Sequence, residues 1–168
     1  MDALAIDQLP FESLAGTRVM VRIDPSESVG ATLPTLGYLM ETGSRIVVVA
    51  GSSNPVRVSL APELSRLLGH PVRELSEPTG GEARRTVFTM RPKDVVLLQN
   101  LSANPQETAN DPGFARHLAT LAEIYCNDDF SDAHHTFAST VGVTRYVEVA
   151  VAGLRMARQI AGIEDVTE

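Results

Sequence analysis

Four short apolar runs constrain the fold of this chain more than any other feature. They are RVMVRI at residues 18–23, IVVVA at 46–50, VVLL at 95–98 and IYC at 124–126. The second is apolar throughout, as a strand covered on both faces should be; a strand with one wet face would alternate. Segments with helical periodicity lie between the runs. Residues 32–42 place Leu33, Leu36, Leu39 and Met40 on one face and stop at Gly43. Ser59 caps a second helix with Leu60, Leu64, Leu67 and Leu68 on its buried side and Gly69 at its end. Residues 71–75 read as a weaker strand, placed at an edge because Pro71 cannot donate a ladder hydrogen bond. A loop at 77–81 leads to a short helix at 82–90, and a loop at 99–107 leads to a helix opened by Asp111 and Pro112, with Phe114, Leu118 and Leu121 as its stripe. A last helix from about Val147 spaces Val149, Gly153, Met156, Ile160 and Ile163 by four, three, four and three residues, with Arg155 and Arg158 on its other side. Strand and helix alternate without an internal repeat. This predicts one doubly wound, Rossmann-like α/β domain over residues 1–168, with a mainly parallel sheet and helices on both faces.

Composition narrows the class of function. At 168 residues the chain can bury one real core, and 43% hydrophobic with 21% charged residues is ordinary for a globular protein. No apolar run is long enough to span a bilayer, and the N-terminus lacks the basic start of a signal peptide. Cys126 stands alone, which excludes an internal disulfide and fits a reducing cytoplasm. A net charge of −7 with a single lysine, Lys93, argues against nucleic acid and against phosphate-rich partners in general. The expected location is cytoplasmic, with no membrane contact.

Residues 123–143, EIYCNDDFSDAHHTFASTVGV, join a buried strand to a polar loop, which is where open α/β sheets place their ligands. The wording resembles the pattern Tyr-Val-Asn-Asp-Ala-Phe-Gly-Thr-Ala-His-Arg-Ala-His-Ala-Ser-Thr of the phosphoglycerate kinase family. The resemblance runs along nearly the whole chain. Val21-Arg22-Ile23-Asp24 is similar to the family's Val-Arg-Val-Asp, and Leu33-Pro34-Thr35-Leu36 to its Leu-Pro-Thr-Ile. Ser59-Leu60-Ala61-Pro62, Asn110-Asp111-Pro112, Ala138-Ser139-Thr140-Val141-Gly142-Val143 and Val151-Ala152-Gly153 continue it in order. The part resembled is the family's N-terminal domain, which binds 3-phosphoglycerate while a separate C-terminal domain binds Mg-nucleotide. The chain carries no Gly-x-x-x-x-Gly-Lys-Ser/Thr loop and no Gly-x-Gly-x-x-Gly, so no cofactor and no nucleotide half is expected here.

The resemblance also implies which residues should hold the substrate: an Asp, an Asn, a His and several arginines. Arg22 and Asp24 match. Ser26 stands for the Asn, Ser28 for one arginine, and Gly51 and Asn54 for the His and Arg of Ser-His-Leu-Gly-Arg-Pro. Ser102 replaces the arginine of Asn-Leu-Arg-Phe, and His135 that of Ala-His-Arg-Ala-His. A hydrogen bond from a charged donor contributes about 1.5–3 kcal/mol, whereas millimolar binding corresponds to only about 4 kcal/mol in all. Losing two or three such bonds removes useful affinity for a small anion.

The expectation is therefore a non-catalytic binding, assembly or regulatory module. Its remnant cleft would comprise Arg22, Asp24, Ser26, Asn54, Ser102, Asp128, His134 and His135. The alternatives are an enzyme that reuses this cleft for a less anionic ligand, and one half of a split kinase. Asp128, Asp132, His134 and His135, with Asp129 nearby, have ligand types that suit zinc or manganese. The opposing reading makes Asp129 and Asp132 solvated loop residues. Cys126 beside two histidines invites a nucleophile, but a cysteine in an apolar strand belongs to the core. Val149, Met156 and Ile160 are expected to meet a protein partner or a second copy, where the parent family packs its other half.

Overall fold

Alternate residues along each central strand sort to opposite faces, and helices cover both. A computed structural model of the protein describes residues 4–26, 28–51, 59–98 and 101–167, with side chains as far as residue 162. Among these residues six strands form one sheet: β1 (Arg18–Ile23), β2 (Arg45–Ala50), β3 (Val72–Leu75), β4 (Val95–Leu98), β5 (Ile124–Asn127) and β6 (Val149–Ala152). Their order is β3-β4-β2-β1-β5-β6 and every pairing is parallel. The helices are α1 (Phe11–Leu14), α2 (Leu33–Glu41), α3 (Ala61–Leu68), α4 (Gly81–Phe88), α5 (Pro105–Thr108), α6 (Pro112–Ala119) and α7 (Leu154–Thr167).

Val19, Val21 and Ile23 of β1 point with Ile46 and Val48 of β2 toward Leu36 and Leu39 of α2 and Leu64 of α3. Met20 points the other way, with Val47, Val49, Val96 and Leu98, toward Val87 of α4 and Phe114 and Leu118 of α6. The continuous apolar run of β2 is thus buried on both sides, as the parallel-sheet reading requires. Each fully buried Leu or Val contributes about 1.5–3 kcal/mol relative to exposure. β3 takes the expected edge position next to β4.

Local chemistry sets the ends. Ser59 Oγ accepts from the Ala61 N–H at 3.2 Å, and α3 closes on Gly69 at φ +62°. Asp111 Oδ1 accepts from the Phe114 N–H at 2.8 Å and starts α6. Two expectations need correction, and one turn not read from the sequence is added. Residues 101–108 are not a plain loop but a 3-10 turn at Leu101–Ala103 followed by α5. Residues 138–142 form a π-helical turn, and a Cβ on Gly142 would lie 2.9 Å from that of Ala115. The last helix begins at Leu154, not near Val147. Val149 belongs to β6, because the Val-Ala-Val-Ala stretch pairs with β5 in the register Cys126↔Val151, and Ala5 bridges to Ala152 on the far side.

Candidate functional site

The strand order reverses between β1 and β5. β1 continues to β2 on one side, whereas the chain returns from β4 to β5 on the other, so the two strand ends open a crevice at their carboxyl ends. Arg22, Asp24, Asp128 and Asp129 all sit there. Arg22 shares the face of Met20 and is fully buried, at 0% exposure. Its guanidinium is enclosed. Nε donates to Ser139 Oγ at 2.9 Å, Nη1 to Asp129 Oδ2, and Nη2 to the Gly51 carbonyl at 3.2 Å and Asp132 Oδ2 at 3.4 Å. The Ser139 hydroxyl in turn donates a hydrogen bond to Glu107 Oε1, and its N–H donates to Glu107 Oε2 at 3.0 Å.

One cation is therefore surrounded by carboxylates. Burial works against the Arg22 charge, but Tyr125, Asp129 and Glu107 outweigh it and raise its pKa. Burial pushes the Glu107 carboxyl up, with hydrogen bonds from Ser139 and the charge of Arg22 opposing. Gly51 leaves the room this cage needs, since a Cβ there would stand 3.3 Å from Arg22 Nη2 and 3.6 Å from Glu107 Oε1. The reading of Asp129 and Asp132 as solvated is corrected: both are buried, at 0% and 3% exposure, because Arg22 supplies their counter-charge.

Asp24 serves the turn that follows β1. Its Oδ1 accepts from the Ser26 N–H at 2.7 Å and the Ser26 hydroxyl at 2.6 Å. Ser131 Oγ lies 2.7 Å from Asp24 Oδ2 and 2.6 Å from Asp129 Oδ1, one proton bridging two carboxylates. Ser26 and Ser131 are exposed. Ser102 is half-buried in its 3-10 turn, and Asn54 lies outside the described residues.

Asp128 faces the opposite side of the sheet. Its Oδ2 accepts from Thr32 Oγ1 at 3.0 Å, and its Oδ1 from the N–H groups of Arg155 and Met156 at 3.1 and 3.3 Å, the first turn of α7. Burial raises its pKa despite these hydrogen bonds. A Cβ on Gly153 would overlap the Asp128 carboxylate, so glycine is required for this approach.

The expected metal set does not assemble. Asp128 is turned into α7, Asp132 toward Arg22, and His134 is exposed, its ring tilted against that of His135 with centroids 4.0 Å apart, while His135 stacks on Phe137 at 5.0 Å. His135 Nε2 approaches Asp132 Oδ1 only to 3.7 Å. No three acid, histidine or cysteine side chains among the described residues are grouped to hold an ion. Cys126 is buried, and burial raises its thiol pKa well above the ordinary value, so it is a core residue rather than a nucleophile. Glu107, Ser139 and Gly153 are participants that the sequence reading did not single out.

The family model described as Phosphoglycerate kinase matches residues 12–168. This chain belongs to that family. It is 39% identical to the phosphoglycerate kinase of Dictyoglomus turgidum over 167 residues, covering 89% of this chain and 42% of that protein. It is 35% identical to that of Thermosynechococcus vestitus, covering 100% of this chain and 47% of the relative. The chain thus spans less than half the length of the curated relatives it matches. Among solved structures, phosphoglycerate kinase from Pyrococcus horikoshii superposes with a TM-score of 0.80 at 23% identity, over 94% of this chain and 44% of the other. No helix among the described residues is long and apolar enough to cross a membrane.

Proposed function

We propose that the chain is a non-catalytic phosphoglycerate-kinase-like protein of the cytoplasm, acting as a binding, assembly or regulatory module. One observation carries this reading: the cation retained at the strand ends, Arg22, spends its guanidinium on Asp129, Asp132, Ser139 and Gly51 inside the protein. Phosphoryl transfer depends on positive charge held around the moving group. Here Asp24, Asp129, Asp132 and Glu107 are buried around the crevice, and an incoming phosphate would meet acidic groups. Calorimetric titration with 3-phosphoglycerate should show no binding at millimolar concentration, and a coupled assay with Mg-nucleotide no turnover. Saturable heat or turnover would overturn the reading.

The surface that supports a protein contact lies beside β6 and α7. Val149, Met156 and Ile160 are half-buried, and Met156 lines a hollow of about 190 Å³ with Leu4, Tyr125, Ala150 and Ala152. A partner or a second copy seated there predicts a mass above the monomer's in light scattering, or a co-purifying protein. A second reading, that the crevice takes a less anionic ligand, is favoured by the exposed residues Ser26 and Ser131, whose hydroxyls donate to Asp24. It predicts a thermal shift with a neutral polyol that 3-phosphoglycerate does not reproduce.

A further inference from the structure

A guanidinium needs one counter-charge, and Arg22 has two within reach on one short turn. Asp129 and Asp132 lie three residues apart, and the turn is drawn tight by its own hydrogen bonds: the Asp132 N–H donates to Asp129 Oδ1 at 3.3 Å, and Ser131 Oγ lies 2.6 Å from the same oxygen. Each carboxylate engages a different nitrogen, Nη1 for Asp129 and Nη2 for Asp132. That is how a planar guanidinium holds two oxygens of a small oxyanion. The turn is also thin, since Ser131, Ala133 and His134 beside these two acids are exposed. Ser139 Oγ and the Gly51 carbonyl would still hold the guanidinium in place if both carboxylates were removed.

We propose that Asp129 and Asp132 are a built-in anion: Arg22 is a receptor for a small tetrahedral oxyanion, and the turn that carries these two acids occupies it from within. The inference rests on the reading that the parent chain takes no external anion at this place. It adds that two side chains close the site, and that truncating them opens it.

The double variant Asp129→Ala/Asp132→Thr tests this by thermal melts in inorganic phosphate against sodium chloride of equal ionic strength. The variant melts below the parent in chloride, because buried Arg22 loses its two carboxylate partners. Phosphate at ten times its Kd should then raise the variant's Tm by about 3–6 °C, while the parent's Tm stays the same in both salts. A folded variant that phosphate stabilises no more than chloride overturns the proposal, and so does an equal phosphate shift in the parent. Should the double variant not fold in chloride, it is refolded in phosphate. Recovery of near-ultraviolet circular dichroism supports the built-in anion, and failure to recover it rejects the proposal. Binding of 3-phosphoglycerate by the parent would instead sink the functional reading, so the two failures are distinguishable.

Discussion

Asp128 and Asp129 are joined by one peptide bond, are both fully buried, and solve the same problem in opposite ways. Asp128 turns to the face of α2 and α7 and is satisfied by neutral donors, a threonine hydroxyl and two helix N–H groups. Asp129 turns to the face of α6 and is satisfied by a cation. The first arrangement needs space, which Gly153 provides, and the partial positive charge of a helix start. The second needs a full charge, and Arg22 must supply it to more than one carboxylate. The contrast teaches that the Asp128 network ties the end of β5 to α7, while the Asp129 network neutralises the Arg22 guanidinium beside the crevice.

Removing the cation should break the second network far more than any single change breaks the first. Arg22→Met takes the guanidinium counter-charge away from buried Asp129 and Asp132, and truncating one member of a buried pair costs about 3–5 kcal/mol. Urea unfolding of this variant should show that loss. A loss below about 1 kcal/mol would mean that the carboxylates reach water easily and that the cage is loosely held.

On the Asp128 side the expected losses are smaller and interlocked. Asp128→Ala strands no charge and removes a helix-start acceptor, at about 1–2 kcal/mol. Gly153→Ala drives a methyl group into the carboxylate, at about 1–3 kcal/mol. Combined, the two should cost less than their sum, because the methyl occupies the space the carboxylate vacates. Strict additivity in a double-mutant cycle would show that Gly153 serves the backbone and not Asp128.

This difference between the networks also explains what could be read from the sequence. The apolar runs of β1, β2, β4 and β5 declared themselves because each is buried on both faces, and burial writes itself into composition. β6 was hidden, since Val149, Gly153, Met156 and Ile160 fit a helical spacing that the neighbouring edge of β5 overrides. Arg22 and Asp24 were found through the resemblance, in Val21-Arg22-Ile23-Asp24. The cage was not: Asp129 and Asp132 sit in a polar stretch that looks solvated, and Glu107 joins through Ser139 from 32 positions away, with no local pattern to announce it. His134 and His135 drew attention by adjacency, but their rings tilt against each other and are not grouped with a third ligand among the described residues.

The smallest effect concerns the proton on Glu107, and its sign follows from the cage. Burial lifts this carboxyl above its ordinary value of 4.5, so between that value and its raised one the folded chain binds more protons than the unfolded chain. The stability contributed by the extra proton is complete below 4.5 and disappears as pH rises through the folded value. Asp128 is raised in the same direction and must be subtracted. The comparison is therefore between the parent and Glu107→Gln, which retain Asp128 alike. Unfolding free energies measured from pH 7 downward should rise more in the parent than in Glu107→Gln. The gain should stay small, because Ser139 and Arg22 oppose the upward shift. A parent that loses stability relative to Glu107→Gln on acidification would reveal Glu107 as a fixed anion. Arg22 would then answer three full negative charges, from Asp129, Asp132 and Glu107.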